Sequence, residues 1–183
     1  MIYKFYRQRI FPHLLNQVMQ TASLMDKRRE LLLPVAGEVL EIGFGTGLNL
    51  PFYQQVDTLY ALEPNPDIYR LAAQRVHEAP FEVQHIQASA EKLPFASASL
   101  DHIVSTWTLC SIANLEQALA EIFRVLKPGG ALHLVEHVLH SENRNIERAL
   151  KDAGLELAEC RYFDAEGIPK IAQRMLLARA VRP

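Results

Sequence analysis

The chain has 183 residues, 49% of them apolar, which is enough for one domain of this length to bury a core. Its formal net charge is −2, with both signs interspersed, so nothing in the balance suits binding to a phosphate backbone. The two cysteines, Cys110 and Cys160, are far apart and lack metal-ligand spacing, so they read as free thiols of a reducing compartment.

No apolar run approaches the ~20 residues that span a bilayer. The N-terminus carries Lys4, Arg7 and Arg9 without a continuous apolar segment, so it does not read as a secretory signal, and a cytoplasmic protein is expected. Residues 2–33 read as helical. Phe11, Leu14, Leu15 and Val18 share one face, and Pro12 favours two short helices over one long one. Pro34 and Gly37 end this region. Its apolar, partly basic face is expected to pack over the domain, with peripheral membrane contact as the alternative.

From Glu38 the rhythm changes. Val39–Ile42 reads as a short buried strand ended by a glycine-rich turn, followed by a helix over Leu48–Gln55. Thr58–Leu62 is a second strand. Asn65 is a plausible N-cap with Pro66 in the first helical position, and that helix should run to about His77. Phe81–Ile86 and Leu100–Ser105 follow as strands. Asn114 can cap a helix through Leu126, its end marked by Lys127, Pro128, Gly129 and Gly130. Ala131–Val138 is a strand, and Ile146–Ala153 a helix closed by Gly154. Leu155–Phe163 and Ala172–Val181 are two last strands with no helix between them, free to pair antiparallel at one edge. Strands alternating with helices over short connections imply an α/β fold with a doubly wound, mostly parallel sheet of seven strands and an antiparallel edge strand. Neither a repeat nor an interdomain linker is visible, so residues 1–183 read as one domain.

The central feature is the turn Glu41-Ile-Gly43-Phe44-Gly45-Thr46-Gly47, placed after a strand. Glycines there let the backbone approach a ligand closely. A dinucleotide fingerprint would place its third glycine at position 48, where Leu48 stands. The Glu41 carboxylate would also repel a pyrophosphate, and no Lys or Arg between Glu41 and Tyr53 offsets it. An acidic turn suits a ligand with positive charge, such as the sulfonium and ammonium of S-adenosylmethionine. Glu63, about 20 residues past Gly43 and followed by Pro64, can accept hydrogen bonds from both ribose hydroxyls.

The segments FPHLLNQVM, VLEIGFGTGLNLPFY, YALEPNP, AEKLPF, LDHIVSTWTLCSI, IFRVLKPGGAL and LVEH carry a resemblance. The chain resembles class I S-adenosylmethionine-dependent methyltransferases of the ubiquinone and menaquinone biosynthesis group, and most of all the small methyltransferase-like 7 type. The resemblance covers roughly Phe11 to Val138, the tail more loosely, and implies a Rossmann-like core, taken as residues 35–183; residues 1–34, whose apolar face must be buried, are expected to form a helical lid. The resemblance also implies that Glu41 orients the methionine ammonium. Gly43, Gly45 and Gly47, with Phe44, Thr46 and Asn49, would wrap the methionyl and ribose portions. Glu63 and Pro64 would hold the ribose, Ser89 and Ala90 would border the adenine, and Thr106 and Trp107 would lie near the methionyl group and the acceptor. Two departures stand out. Many relatives have Asp where Ser89 stands. Relatives also have a longer stretch after Glu136-His137, where Ser141–Asn145 here leads almost directly into a helix. The acceptor site is then unusually open, or the N-terminal helices form most of its lid, or the chain is shortened.

His133, His137 and His140 lack a fixed metal geometry and read as packing or surface histidines, so no metal is assigned. His137 stands where ligands of open α/β sheets bind and is the candidate base if the acceptor must lose a proton. Trp107 suits pocket lining and core packing equally, and Cys110 reads as a small pocket or core residue rather than a nucleophile. The expected function is methyl transfer to a small apolar acceptor: a thiol, a quinone-type ring or a lipid head group. A nicotinamide-dependent oxidoreductase is opposed by Leu48 and Glu41. A nucleic-acid methyltransferase is opposed by the charge and by Ser105-Thr-Trp-Thr108, where an Asn/Asp-Pro-Pro-aromatic motif would stand. A non-catalytic binding protein that has kept the fold is the remaining alternative.

Overall fold

The computed structural model describes residues 19–137, 146–168, 170 and 173–183. Seven strands form one sheet: β1 (Ala36–Ile42), β2 (Gln55–Leu62), β3 (Glu82–Ile86), β4 (Leu100–Thr106), β5 (Leu126–His137), β6 (Glu156–Asp164) and β7 (Arg174–Val181). Their order is β3-β2-β1-β4-β5-β7-β6. The first five run parallel, and β7 pairs antiparallel with both β5 and β6. The antiparallel pair is therefore at the edge as expected, with β7 one place in from it.

Alternation along each central strand sends neighbouring side chains to opposite faces, and both faces are covered, so these strands read as apolar runs. On one face Val39, Leu59, Ala61, Val104, Val135 and Leu177 pack with Leu31, Leu32 and Val35 at the end of α1 (Ala22–Leu32) and with Ala72. On the other face Leu40, Ile42, Ile103, Leu134 and Leu176 meet Ala118, Leu119, Ile122 and Val125 of α4 (Leu115–Val125) and Ile146 and Leu150 of α5 (Ile146–Asp152). This is the doubly wound arrangement, with the core in two layers around β1, β4 and β5.

The helix starts follow the capping residues. The Asn65 side chain accepts from Asp67 N at 3.0 Å, and Asn114 from Gln117 N at 3.1 Å. The helix after Asn65 is segmented into α2 (Pro66–Tyr69), a 3₁₀ turn (Arg70–Ala72) and α3 (Ala73–Glu78), rather than continuous to His77. The helix expected over Leu48–Gln55 is a single 3₁₀ turn, Leu50–Phe52, because Gln55 already pairs with Ala36 in the β1–β2 ladder. Lys127-Pro-Gly-Gly130 ends α4 as expected but continues as the start of β5, where Leu126 pairs with Leu100. The expected helical lid is described only from Met19. The face formed by Phe11, Leu14, Leu15 and Val18 lies outside the described residues, as do His140 and Ser141–Asn145.

Candidate functional site

β1 has β2 on one side and β4 on the other, so successive connections leave its carboxyl end in opposite directions. Open α/β sheets bind ligands in the crevice this creates. The residues following β1, β2 and β4, and the end of β5 itself, converge there.

The turn after β1 owes its shape to glycine. Gly43, Gly45 and Gly47 have φ of 71°, 59° and 74°, in the region that side chains resist. A Cβ on Gly43 would lie 2.0 Å from Thr108 Oγ1, so this glycine lets the β4 loop pack against the turn. Beside Gly45 the nearest atom to such a Cβ is Gly43 O at 3.8 Å, which leaves room for a ligand. The Phe44 ring turns inward and meets Tyr69 at 5.6 Å, so its backbone is what faces the turn. Thr46 O accepts from Arg75 Nη1 at 3.0 Å, which fixes the turn to α3.

Glu63 ends β2. Its Oε2 accepts from Gly45 N at 3.1 Å and its Oε1 from Asn65 N at 3.0 Å. One carboxylate thereby ties the glycine turn to the start of α2, and each oxygen keeps a lone pair for a diol. Pro64 beside it is exposed. Ser89 is exposed and its hydroxyl donates to Glu91 Oε2 at 2.8 Å, while Ala90 is buried in the core.

Glu41 shares the sheet face of Val39 and is 1% exposed. Its Oε1 accepts from Asn49 Nδ2 at 3.0 Å and its Oε2 from the Tyr53 hydroxyl at 2.6 Å. Burial pushes the carboxyl up to about 7, against the opposing pull of Tyr53, Arg28 and Asn49. Burial, with Glu41 beside it, likewise holds the Tyr53 phenol well above its ordinary value. The counter-charge comes from α1. Arg28 Nη1 donates to Asn49 Oδ1 at 2.6 Å and to Thr106 Oγ1 at 3.1 Å, and Asn49 Nδ2 lies 3.2 Å from Thr106 Oγ1. Burial lowers the guanidinium to about 10, so it stays charged at neutral pH. Asn49 is thus a brace between opposite charges, and Thr106 closes the network from β4.

Sequence reasoning found Glu41, Asn49 and Thr106 here but missed Arg28 and Tyr53. A signal for Arg28 existed. Leu24, Arg28, Leu31 and Leu32 are the buried positions of α1, so the arginine stands on the apolar stripe rather than the wet face.

Trp107 follows β4 with φ of 57°, rare for a bulky residue. Its N–H donates to Val135 O at 2.8 Å, and the guanidinium of Arg28 lies 4.8 Å over its ring. The next turn is anchored by Glu136, which is fully buried on the opposite sheet face. Glu136 accepts from Ser105 Oγ (2.9 Å), Thr108 N (3.1 Å), Leu109 N (2.9 Å) and Cys110 N (3.4 Å). Burial raises this carboxyl, and the four donors oppose the rise. Glu136 therefore holds the loop that carries Trp107 and Cys110. His137 ends β5, half-buried, opposite Met175. His133 lies 3.1 Å from His102 Nδ1, and burial depresses it to about 3, which makes it a neutral packing histidine.

These residues fit S-adenosylmethionine. A buried carboxylate and a buried guanidinium stand together at the turn for the ammonium and carboxylate of an amino acid. Open space lies beside Gly45, with Glu63 next to it for a ribose. Arg28 Nε and Trp107 Nε1 are buried without hydrogen-bond partners, so the crevice still has donors to offer.

The comparisons agree with this geometry. The sequence profile described as "Methyltransferase domain" matches residues 40–134. The chain is 35% identical over 141 residues to the thiol S-methyltransferase TMT1A of Homo sapiens, covering 70% of this chain and 58% of that one. It is 31% identical over 111 residues to the ubiquinone/menaquinone biosynthesis C-methyltransferase UbiE of Syntrophotalea carbinolica, covering 59% and 47%. The chain thus spans only about half the length of these curated relatives. The fold matches that of the N-methyltransferase NodS from Bradyrhizobium japonicum WM9 in complex with S-adenosyl-L-homocysteine, with a TM-score of 0.76, 15% identity and 91% of each chain covered. The chain belongs to the methyltransferase domain family, and its cofactor is S-adenosylmethionine.

Proposed function

We propose that the protein transfers a methyl group from S-adenosylmethionine to a small apolar thiol. The observation that carries the reading is the buried pair of opposite charges, Glu41 and Arg28, joined through Asn49 beside the glycine turn. When bound, the cofactor supplies a methyl group on a sulfonium, already activated for displacement, and keeps the bonding electron pair as S-adenosylhomocysteine. The protein's part is then to position and to exclude water. Glu41 takes the ammonium, Arg28 the carboxylate and Glu63 the ribose hydroxyls. Asn49, Tyr53 and Thr106 hold the two charged groups in place. Trp107 lies over Arg28 on the acceptor side. His137, at the end of β5, is the candidate to take the proton of a thiol that has not yet ionised.

The thiol is favoured over other acceptors by the similarity to a thiol S-methyltransferase and by the guanidinium beside Trp107, which disfavours an ammonium acceptor. Calorimetry with S-adenosylmethionine, S-adenosylhomocysteine, NAD and NADP tests the cofactor site, and tight nicotinamide binding without adenosylmethionine binding would overturn it. A labelled-methyl assay over thiols, phenols, quinols and amines tests the acceptor. Methylation of amines but not thiols would remove the thiol reading and leave the cofactor site intact.

A further inference from the structure

Trp107 carries two local costs, one in its backbone and one at its indole nitrogen. Its backbone is left-handed, at φ 57°. Its Nε1 is buried without a partner, and a buried donor left unpaired is destabilising. It also takes a buried cation 4.8 Å over its ring. The indole packs between two apolar groups. One is the face that includes Val104 and Val135, and the other is Leu24, Ala165, Ile168 and Met175, with Phe163 and Met19 against it. Thr21, on the same stretch of chain as Met19 and Leu24, has a hydroxyl that is likewise buried without a partner. Two unpaired polar groups beside apolar side chains describe a place for a ligand with an apolar body and a lone-pair-bearing end.

We propose that the indole N–H of Trp107 is the donor that receives the sulfur of the thiol acceptor, holding it between Arg28 and the group formed by Leu24, Phe163 and Met175. This rests on the thiol reading above. Both polar atoms are closed to solvent, so the ligand takes the place of atoms now packed over them. A hydrogen bond to a thiolate is charge-assisted and stronger than one to a thiol. The donor, with the guanidinium nearby, therefore favours the ionised sulfur, which is the nucleophile.

Trp107 is the only tryptophan of the chain, so its indole N–H is a single resonance in a nitrogen-15 correlation spectrum. With S-adenosylhomocysteine bound, thiophenol is expected to move that resonance downfield. Toluene, which has the ring but no lone pair, and benzylamine, a cation at neutral pH, should leave it in place. Trp107→Phe keeps an aromatic face for Arg28 and removes the donor together with part of the indole's packing. Its kcat/KM for thiophenol should fall about tenfold, the loss of one charge-assisted hydrogen bond, a loss larger than any change in its affinity for S-adenosylhomocysteine. An indole resonance that ignores thiophenol, or that responds equally to toluene or benzylamine, overturns the proposal. Failure of the underlying thiol reading shows elsewhere, as methylation of amines but not of thiols in the labelled-methyl assay.

Discussion

Cofactor binding should expel a proton from Glu41. Burial holds this carboxyl at about 7 instead of 4.5 in the free protein, a difference worth about 3 kcal/mol between its two protonation states. A folded value above the unfolded one stabilises the fold fully below pH 4.5, and that contribution is lost as pH rises through about 7. The ligand's ammonium asks for the opposite state, the carboxylate. The ammonium itself, with an α-amino value near 8, stays charged below neutrality. From pH 7 to pH 5 the ionised fraction of Glu41 falls from about one half to about one hundredth, so affinity should drop about fiftyfold. Calorimetry with S-adenosylhomocysteine in buffers of different ionisation enthalpy should register about half a proton released per site at pH 7. Glu41→Gln should bind weakly, release no proton and show no such slope. Its stability relative to the parent should rise by about 3 kcal/mol between pH 4.5 and 7. Affinity that is flat between pH 5 and 7, or an unchanged slope in Glu41→Gln, would refute the reasoning.

Three further outcomes are expected. Glu63→Ala should weaken cofactor binding by about 1.5–3 kcal/mol in a protein whose circular dichroism is unchanged, and full affinity would remove Glu63 from the site. Gly45→Val should abolish cofactor binding and leave the fold, because a β-branched residue resists φ of 59° yet meets no atom nearer than 3.8 Å through its Cβ. Retained binding would make the turn a mere link. Glu136→Ala should cost more than about 3 kcal/mol in denaturant unfolding, since it strips several buried donors of their acceptor. A small loss would show that water or a rearranged loop replaces the carboxylate.

The fold was legible where local chemistry decides it. Asn65 and Asn114 cap as their positions suggest, and the apolar runs of β1 and β4 are strands because both sheet faces are covered. The glycine turn and Glu63 were legible because their spacing is short. What escaped depends on contacts distant in sequence. Arg28 and Thr106 are 78 positions apart yet bonded, and no periodicity reports that. Tyr53 looked like part of a helix, but the chain there leaves a single 3₁₀ turn for β2, which points the phenol at Glu41. The left-handed backbone of Trp107 and the anchoring by Glu136 are tertiary decisions, imposed by β5 from both sides of the sheet.

The insertion of β7 between β5 and β6 has a consequence for how the molecule comes into being. As synthesis proceeds, β6 emerges before the strand that will join it to the sheet, and it makes no ladder with β5. Until Arg174–Val181 appears, two strands wait with open edges, a state prone to pairing with the wrong chain. The cofactor crevice borders β5, so the strand that scaffolds Glu136 and His137 is secured on its far side only by the last pairing to form.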